Sequence, residues 1–385
     1  MTGLQEIADR AVADAAVPFT VIVAANGDGI LASAHAGDAA EGRPADEDTA
    51  FRIFSMTKLV GSLAAMMLID RGKLSMDTEV ASILPDWDTL QVLDGWDGDT
   101  PRLRAPRTAA TVRHLATHRS GLEYEFWNGE MARYLEATET PSILAGTRAA
   151  MNYPLMFDPG ERWGYGPSID WLGLLVEAVD GRRIDAFCRE EIFAPLGMSD
   201  TAFEPDGMED RLADVRIRGE DGAFGPFDLA PPPGPEVYGM GHCLYSTAPD
   251  YMRLLRMMLR GGELDGARIL SEEAVDQLFA DQMEGHAFER METVAPPITD
   301  SFDPFPGAAG HGFAGLLNRS DIDGKRRAGT LSWAGVLNTH WFCDRTADLA
   351  AVIMTQTLPF VEPRYMDLYD AVERALYADR EAAAA

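Results

Sequence analysis

Ser55 and Lys58 lie three positions apart within residues 51–71 (FRIFSMTKLVGSLAAMMLIDR), a stretch apolar on nearly every side except at Ser55, Thr57, Lys58 and Ser62. On a helix, residues i and i+3 share a face, so the Lys58 amine can approach the Ser55 hydroxyl. A serine hydroxyl is a feeble nucleophile until a base takes its proton, and a lysine serves as that base when desolvation or nearby positive charge lowers its pKa. The N-terminal end of a buried helix offers both an apolar setting and a positive dipole end. The chemistry this spacing points to is attack by Ser55 on an acyl carbonyl. The same residues also fit a serine near a helix N-cap with a lysine that snorkels outward. A lysine in an otherwise apolar helix is costly unless paired or functional, which favours the first reading.

Such a helix belongs in the middle of a domain. Residues 4–16 have helical spacing and precede a β-branched run, 18–26 (PFTVIVAAN), a Gly27-Asp28-Gly29 turn and a second strand-like run, 30–36. From there to about residue 300 the chain reads as short helices, at 111–117, 140–151, 167–179, 184–193, 248–259 and 272–279, joined by Pro/Gly-rich loops with strand signals nearly absent. The loop 222–237, with Pro231-Pro232-Pro233, is the least regular part and is suited to shaping a substrate entrance. Strand-like runs return at 312–318, 329–333, 339–343 and 349–356, before a helix from 363 to about 377 and an alanine tail, 382–385. The pattern predicts an α/β fold of the α+β type: an antiparallel sheet of five or more strands, built from both ends of the chain and flanked by helices, with a mainly helical domain inserted. The expected division is 1–75 with 308–385 for the sheet domain and 76–307 for the insertion, with the active site at their interface.

With 46% hydrophobic and 25% charged residues, the 385-residue chain has the profile of a soluble globular protein. Its net charge of −29, from 62 acidic and 33 basic residues, repels phosphate backbones and anionic membrane surfaces, so neither nucleic acid nor membrane is an expected partner. Cys188, Cys243 and Cys343 are far apart, lack metal-ligand spacing and are expected to be unpaired and buried. No basic n-region or apolar h-region opens the sequence, and apolar runs such as 63–69 are too short to cross a bilayer, so a cytoplasmic location is expected. His114 and His118 sit at i, i+4 without a glutamate between them, and no metal is expected there. With no phosphate-binding glycine loop and no G-x-S-x-G, no cofactor and no α/β-hydrolase elbow are expected.

Phe54-Ser55-Met56-Thr57-Lys58 resembles the first motif of the serine β-lactamase and penicillin-binding protein superfamily. Further stretches are similar to the class C β-lactamase branch in the same order: residues 114–122 (HLATHRSGL), 157–165 (FDPGERWGY), 192–201 (IFAPLGMSDT) and 239–250 (GMGHCLYSTAPD). The resemblance implies that Tyr165 is the tyrosine that shares proton transfer with Lys58; beside Trp163 and Trp171 it also fits a core position. Two departures bear on function. Gly166-Pro167 follows the tyrosine where the lactamases carry Y-x-N, and Trp333-Ala334-Gly335 stands where they carry K-T-G. A W-x-G resembles family VIII carboxylesterases and related acyltransferases. Losing that lysine removes the partner of a substrate carboxylate, while tryptophan offers an apolar face and one N–H; Trp333 also fits a plain core position.

The resemblance thus implies a carboxylesterase acting on short-chain esters through an acyl-enzyme on Ser55, with an oxyanion hole from the Ser55 and Val336 amides and a substrate pocket that includes Trp333 and Gly335. Gly335 is expected to keep its strand open to close ligand approach, and the apolar loops to offer no fixed positive charge. The alternatives are a β-lactamase or D-amino-acid peptidase, an acyltransferase, and a catalytically inactive binding protein on the same fold. The expected partner is a small-molecule ester; oligomeric state is not legible.

Overall fold

The computed structural model describes residues 3–384; Met1, Thr2 and Ala385, at the ends of the expected sheet domain and of the alanine tail, lie outside the described residues. Two strands near the N-terminus, β1 (Phe19–Ala25) and β2 (Ile30–Ala40), form an antiparallel hairpin, and β3 (Arg43–Pro44) pairs with the end of β2. The chain rejoins the sheet through β4 (Ala309–His311), β5 (Leu316–Asn318), β6 (Leu331–Gly335), β7 (Thr339–Asp344) and β8 (Leu349–Met354). All eight strands form one antiparallel sheet in the order β4-β5-β6-β7-β8-β1-β2-β3, so the two ends of the chain meet where β1 pairs with β8, Val21 opposite Met354 and Ala25 opposite Ala350.

Alternation along β1 sorts the two faces. Ile22 and Ala24 join a cluster with helix α1 (Leu4–Ala13) through Leu4 and Ala8, and with the C-terminal helix through Tyr365 and Val372. Val21 and Val23 join the larger core on the opposite face, which includes α2 (Thr57–Asp70), α3 (Ser168–Asp180) and α4 (Ala248–Leu259). The C-terminal helix, α5, spans Pro363–Ala384 and so carries the alanine tail as helix up to Ala384. Every residue of β1, β7 and β8 is buried, which accounts for the nearly continuous apolar runs of β1 and β8. Among the described residues no helix is long and apolar enough to cross a membrane.

Four readings of local structure need correction. The helix expected over 51–71 begins later: Ala50–Arg52 is a strand paired with Tyr245–Thr247, Phe54–Met56 is a 3-10 turn, and only Thr57–Asp70 is α-helical. Phe54 adopts φ 40°, a left-handed conformation that breaks the path just before Ser55. Residues 140–151 form two 3-10 turns separated by Gly146 at φ 63°, while a capped helix at Gly129–Thr138 went unread. The middle region also holds strands, including the hairpin Val92–Asp97 with Thr100–Arg104, although among the described residues nothing between β3 and β4 joins the main sheet. Finally, 312–318 is a turn, closed by the Gly312 N–H donating to the Gly315 carbonyl (2.8 Å), followed by β5.

Candidate active site

Ser55 sits on the turn before α2, so its hydroxyl lies at the N-terminal end of a helix whose sides are buried. One turn on, Lys58 is 3% exposed, and its Nζ donates to Ser55 Oγ (3.0 Å), Tyr124 Oη (3.1 Å) and the Gly241 carbonyl (2.8 Å). Three N–H donors thus meet three acceptors, which fixes the amine against the serine and rules out the snorkelling alternative. Tyr165 Oη donates to Ser55 Oγ at 2.8 Å. The Lys58 amine lies 4.9 Å from the centre of the Tyr165 ring, so serine, lysine and phenol form one compact cluster.

Tyr165 is held from several directions. Its carbonyl accepts from the Tyr124 amide (3.0 Å), joining the two segments that carry the tyrosines. A Cβ at Gly166 would overlap the Leu122 carbonyl, so glycine after Tyr165 is required by this approach of two backbones. His118 packs edge-on to the Tyr165 ring (5.0 Å), and burial holds its imidazole well below the usual pKa, neutral beside the cluster. Burial likewise pushes the Tyr124 phenol up, which keeps it protonated.

Sequence reading missed Tyr124 and Gly241, and a buried acid on α3, Asp170, completes the arrangement. The fully buried Asp170 accepts the Gly241 N–H (3.2 Å), and the Gly241 carbonyl in turn accepts from Lys58, so the carboxylate positions the lysine through the backbone of one residue. Side chains at Gly239 or Gly241 would run into Asp170, the latter at 2.5 Å from Oδ2. The signal lay in the GMGHCLYSTAPD landmark, whose two glycines are spaced around that contact. Asp250 serves elsewhere, accepting the Asp200 N–H and the Thr201 hydroxyl, with burial raising its pKa to about 6. His114 accepts the Thr111 amide in a helix cap, and among the described residues no group of three or more potential metal ligands occurs.

Ser55 opens into a cavity of about 480 Å³, whose walls include Tyr124, Tyr165, Trp333 and Val336. Strand β5 pairs with β6 only at Leu331 and Ser332, so the outer edge of β6 from Trp333 onward is free beside Ser55. Trp333 packs edge-on to Tyr165 at 5.1 Å and carries an indole N–H without a partner. Gly335 departs from its expected role. It is not part of the cavity wall, and its α-carbon packs against the Ile53 carbonyl and the Thr339 hydroxyl, where a Cβ would overlap both. Its lack of a side chain brings β6 against the segment that carries Ser55. The expectation of no positive charge also needs amendment, since Lys325 and Arg326 line the far end of the cavity. Both are paired, Lys325 with Asp370 (2.5 Å) and Glu373 (3.3 Å), and Arg326 with Glu373 (2.6 Å).

The sequence profile of the family described as Beta-lactamase matches residues 4–375. The chain belongs to the Beta-lactamase family. Among its relatives, the monacolin J acid methylbutanoyltransferase of Aspergillus terreus is 32% identical over 354 residues, covering 87% of this chain and 83% of the relative. The lovastatin esterase of Penicillium rubens is 32% identical over 357 residues, covering 88% and 87%. Simvastatin synthase from Aspergillus terreus superposes with a TM-score of 0.82 at 30% identity, over 98% of this chain and 97% of that one. A hydrolase with promiscuous acyltransferase activity, EstCE1, shares the fold with a TM-score of 0.75 at 23% identity, over 96% and 97%. This Beta-lactamase family chain is therefore similar both to proteins named for acyl transfer and to one named for ester hydrolysis.

Proposed function

We propose that this Beta-lactamase family protein hydrolyses carboxylic esters through an acyl-enzyme on Ser55. The observation that carries the reading is the placement of Lys58 Nζ and Tyr165 Oη at 3.0 and 2.8 Å from one serine oxygen at the wall of an apolar cavity. Once the Lys58–Tyr165 pair has released one proton to solvent, it takes the proton of Ser55 as Oγ attacks the ester carbonyl. The amides of Ser55 and Val336 take the oxyanion. Collapse of the tetrahedral adduct breaks the ester C–O bond, the alcohol leaves with a proton from Tyr165, and water then releases the acid by the reverse path. Among the described residues that line the cavity, Lys325 and Arg326 are paired with carboxylates, which favours an ester without a carboxylate and sets β-lactams and peptide C-termini second.

The test is a pair of measurements. Incubation with a p-nitrophenyl phosphonate should add one phosphonyl group to the intact mass, mapping to Ser55 and absent in Ser55→Ala; p-nitrophenyl butyrate should be turned over faster than nitrocefin. Dominant nitrocefin turnover would overturn the ester reading, and absence of the adduct would leave a binding protein on this fold. A second reading, transfer of the acyl group to an alcohol, is favoured by the transferase among the relatives. Under it, an added alcohol intercepts the acyl-enzyme and the ester product outweighs the free acid.

A further inference from the structure

The apolar lining of the cavity falls into two parts. From Tyr165 a chain of aromatic contacts runs through Tyr124 (5.1 Å), Phe126 (5.0 Å) and Trp127 (6.2 Å) to Phe360 (6.4 Å). The other part belongs to a separate cluster around the Ser55 turn, in which Phe54, Leu144, Phe227, Leu229, Ile298 and Val336 all border the cavity. All of these but Phe54 are only partly buried. Apolar surface that the fold leaves uncovered along a cavity is the surface a substrate covers.

Phe227 and Leu229 come from the loop 222–237. They alternate with the exposed Asp228 and Ala230, as an extended segment with one face toward the cavity requires. Backbone hydrogen bonds tie this segment to the neighbourhood of Val336. The Thr357 N–H donates to the Leu337 carbonyl (3.0 Å), Thr357 and Leu358 pair with Arg216 and Ile217, that strand pairs with Phe224–Pro226, and the Phe227 N–H donates to the Val215 carbonyl (3.0 Å). Phe227 and Leu229 also border a second groove of about 710 Å³, together with Arg52, Asp214 and Arg216. Two apolar side chains thus stand between the reacting serine's cavity and a groove beyond it.

The chemistry at Ser55 decides which half of an ester lies against this wall. In the tetrahedral adduct the oxyanion points to the Ser55 and Val336 amides, and the alcohol oxygen lies near Tyr165 Oη to receive its proton. The acyl carbon, the remaining substituent, is directed away from Tyr165, toward the cluster that continues from Phe54 and Val336. We propose that this cluster is the acyl pocket, that it takes an aliphatic chain, and that Phe227 and Leu229 form its end and set the longest chain accepted. The proposal rests on the ester reading of Ser55 and adds to it which half of the substrate is selected by length.

p-Nitrophenyl esters from acetate to decanoate share one leaving group, and release of p-nitrophenol reports acylation whichever acceptor later takes the acyl group. In the unaltered protein kcat/KM should be lower for decanoate than for butyrate. In Leu229→Ala and in Phe227→Ala the chain gains access to the groove beyond, and the decanoate-to-butyrate ratio of kcat/KM should rise about tenfold, the discrimination that a methylene or two in an apolar pocket supplies. Leu229→Trp should lower the same ratio. Because the ratio is internal to each protein, a partial loss of stability does not imitate these changes. Unchanged ratios in the three variants would overturn the proposal. A change that appears instead across butyrate esters of lengthening alcohols would also overturn it, by placing the alcohol on this wall. Neither result touches phosphonate labelling of Ser55 or turnover of the butyrate, on which the ester reading itself depends.

Discussion

Around Ser55 the two walls of the cavity differ in how their polar atoms are used. On one wall Lys58 meets three acceptors, Tyr165 reaches Ser55, and Asp170 holds Gly241, the residue whose carbonyl accepts from Lys58. On the other, Trp127, Trp333 and His340 each keep a buried polar atom without a partner. A satisfied network is rigid and defines one geometry, as proton transfer within one cluster requires. Open polar atoms in an apolar setting cost stability and gain it back only with a ligand. The two walls thus differ in how far their polar atoms are paired, although Asp170 Oδ2 in the first network also lacks a partner.

The largest effect should come from the completed wall. Lys58→Ala removes the amine from Ser55 and leaves the Gly241 carbonyl and Tyr124 hydroxyl without their donor. Ester kcat should fall about 10³–10⁴-fold, the usual loss for one member of a catalytic unit, with little further loss on adding Ser55→Ala. Trp333→Phe removes only an unpartnered N–H and should act mainly on KM. Steady-state kinetics on p-nitrophenyl butyrate check both. If the two variants lose kcat equally, the division between the walls does not hold.

A smaller effect is expected where the walls meet. In Gly335→Ala the new methyl runs into the Ile53 carbonyl and the Thr339 hydroxyl, so β6 must move away from the Ser55 turn. Overpacking of this kind costs about 1–3 kcal/mol, readable as a lowered midpoint in thermal unfolding. The same movement displaces Val336, so kcat should drop while phosphonate labelling slows but persists. Unchanged stability would mean that β6 and the Ser55 turn adjust independently.

How much of this was legible in the sequence follows physical range. The Ser55–Lys58 contact is local, three residues along one turn, and could be read from spacing. The sheet could be read because β1 and β8 are buried on both faces and nearly continuously apolar, and β7 carries the strand-forming run Trp341-Phe342-Cys343. Contacts that depend on distant backbones could not. Tyr124 reaches Lys58 across 66 positions, and Gly335 is needed because Ile53 lies opposite, which no pattern around residue 335 reveals. The start of α2 was misread because Phe-Arg-Ile-Phe is as apolar as the helix that follows, and pairing with Tyr245–Thr247 makes its first residues strand. The paired cations Lys325 and Arg326 were missed as part of the site because chain folding alone carries them to the cavity.

The mildest test uses pH, and it separates the walls again. On the side of Trp333 the imidazoles of His118, His311 and His340 are buried and held neutral, His311 at a pKa of about 4 and His340 at about 3, with burial the main cause in each. The unfolded chain takes up protons on these histidines below about 6.5, whereas the folded chain does not until each lowered value is reached. Their stabilising contribution is therefore complete above 6.5 and is lost as pH falls, by about 1.4 kcal/mol per unit for each group. Asp250 works in the opposite sense. Its pKa is raised from 3.8 to about 6, so the fold gains from its protonation over that interval, which offsets about one histidine. The balance still favours loss, and the unfolding midpoint should drop between pH 7 and pH 5. His340→Leu removes one of the titrating groups, and relative to its own value at pH 7 that variant should lose about 2 kcal/mol less by pH 5. Parallel curves for the two proteins would mean that His340 is hydrated in the folded state.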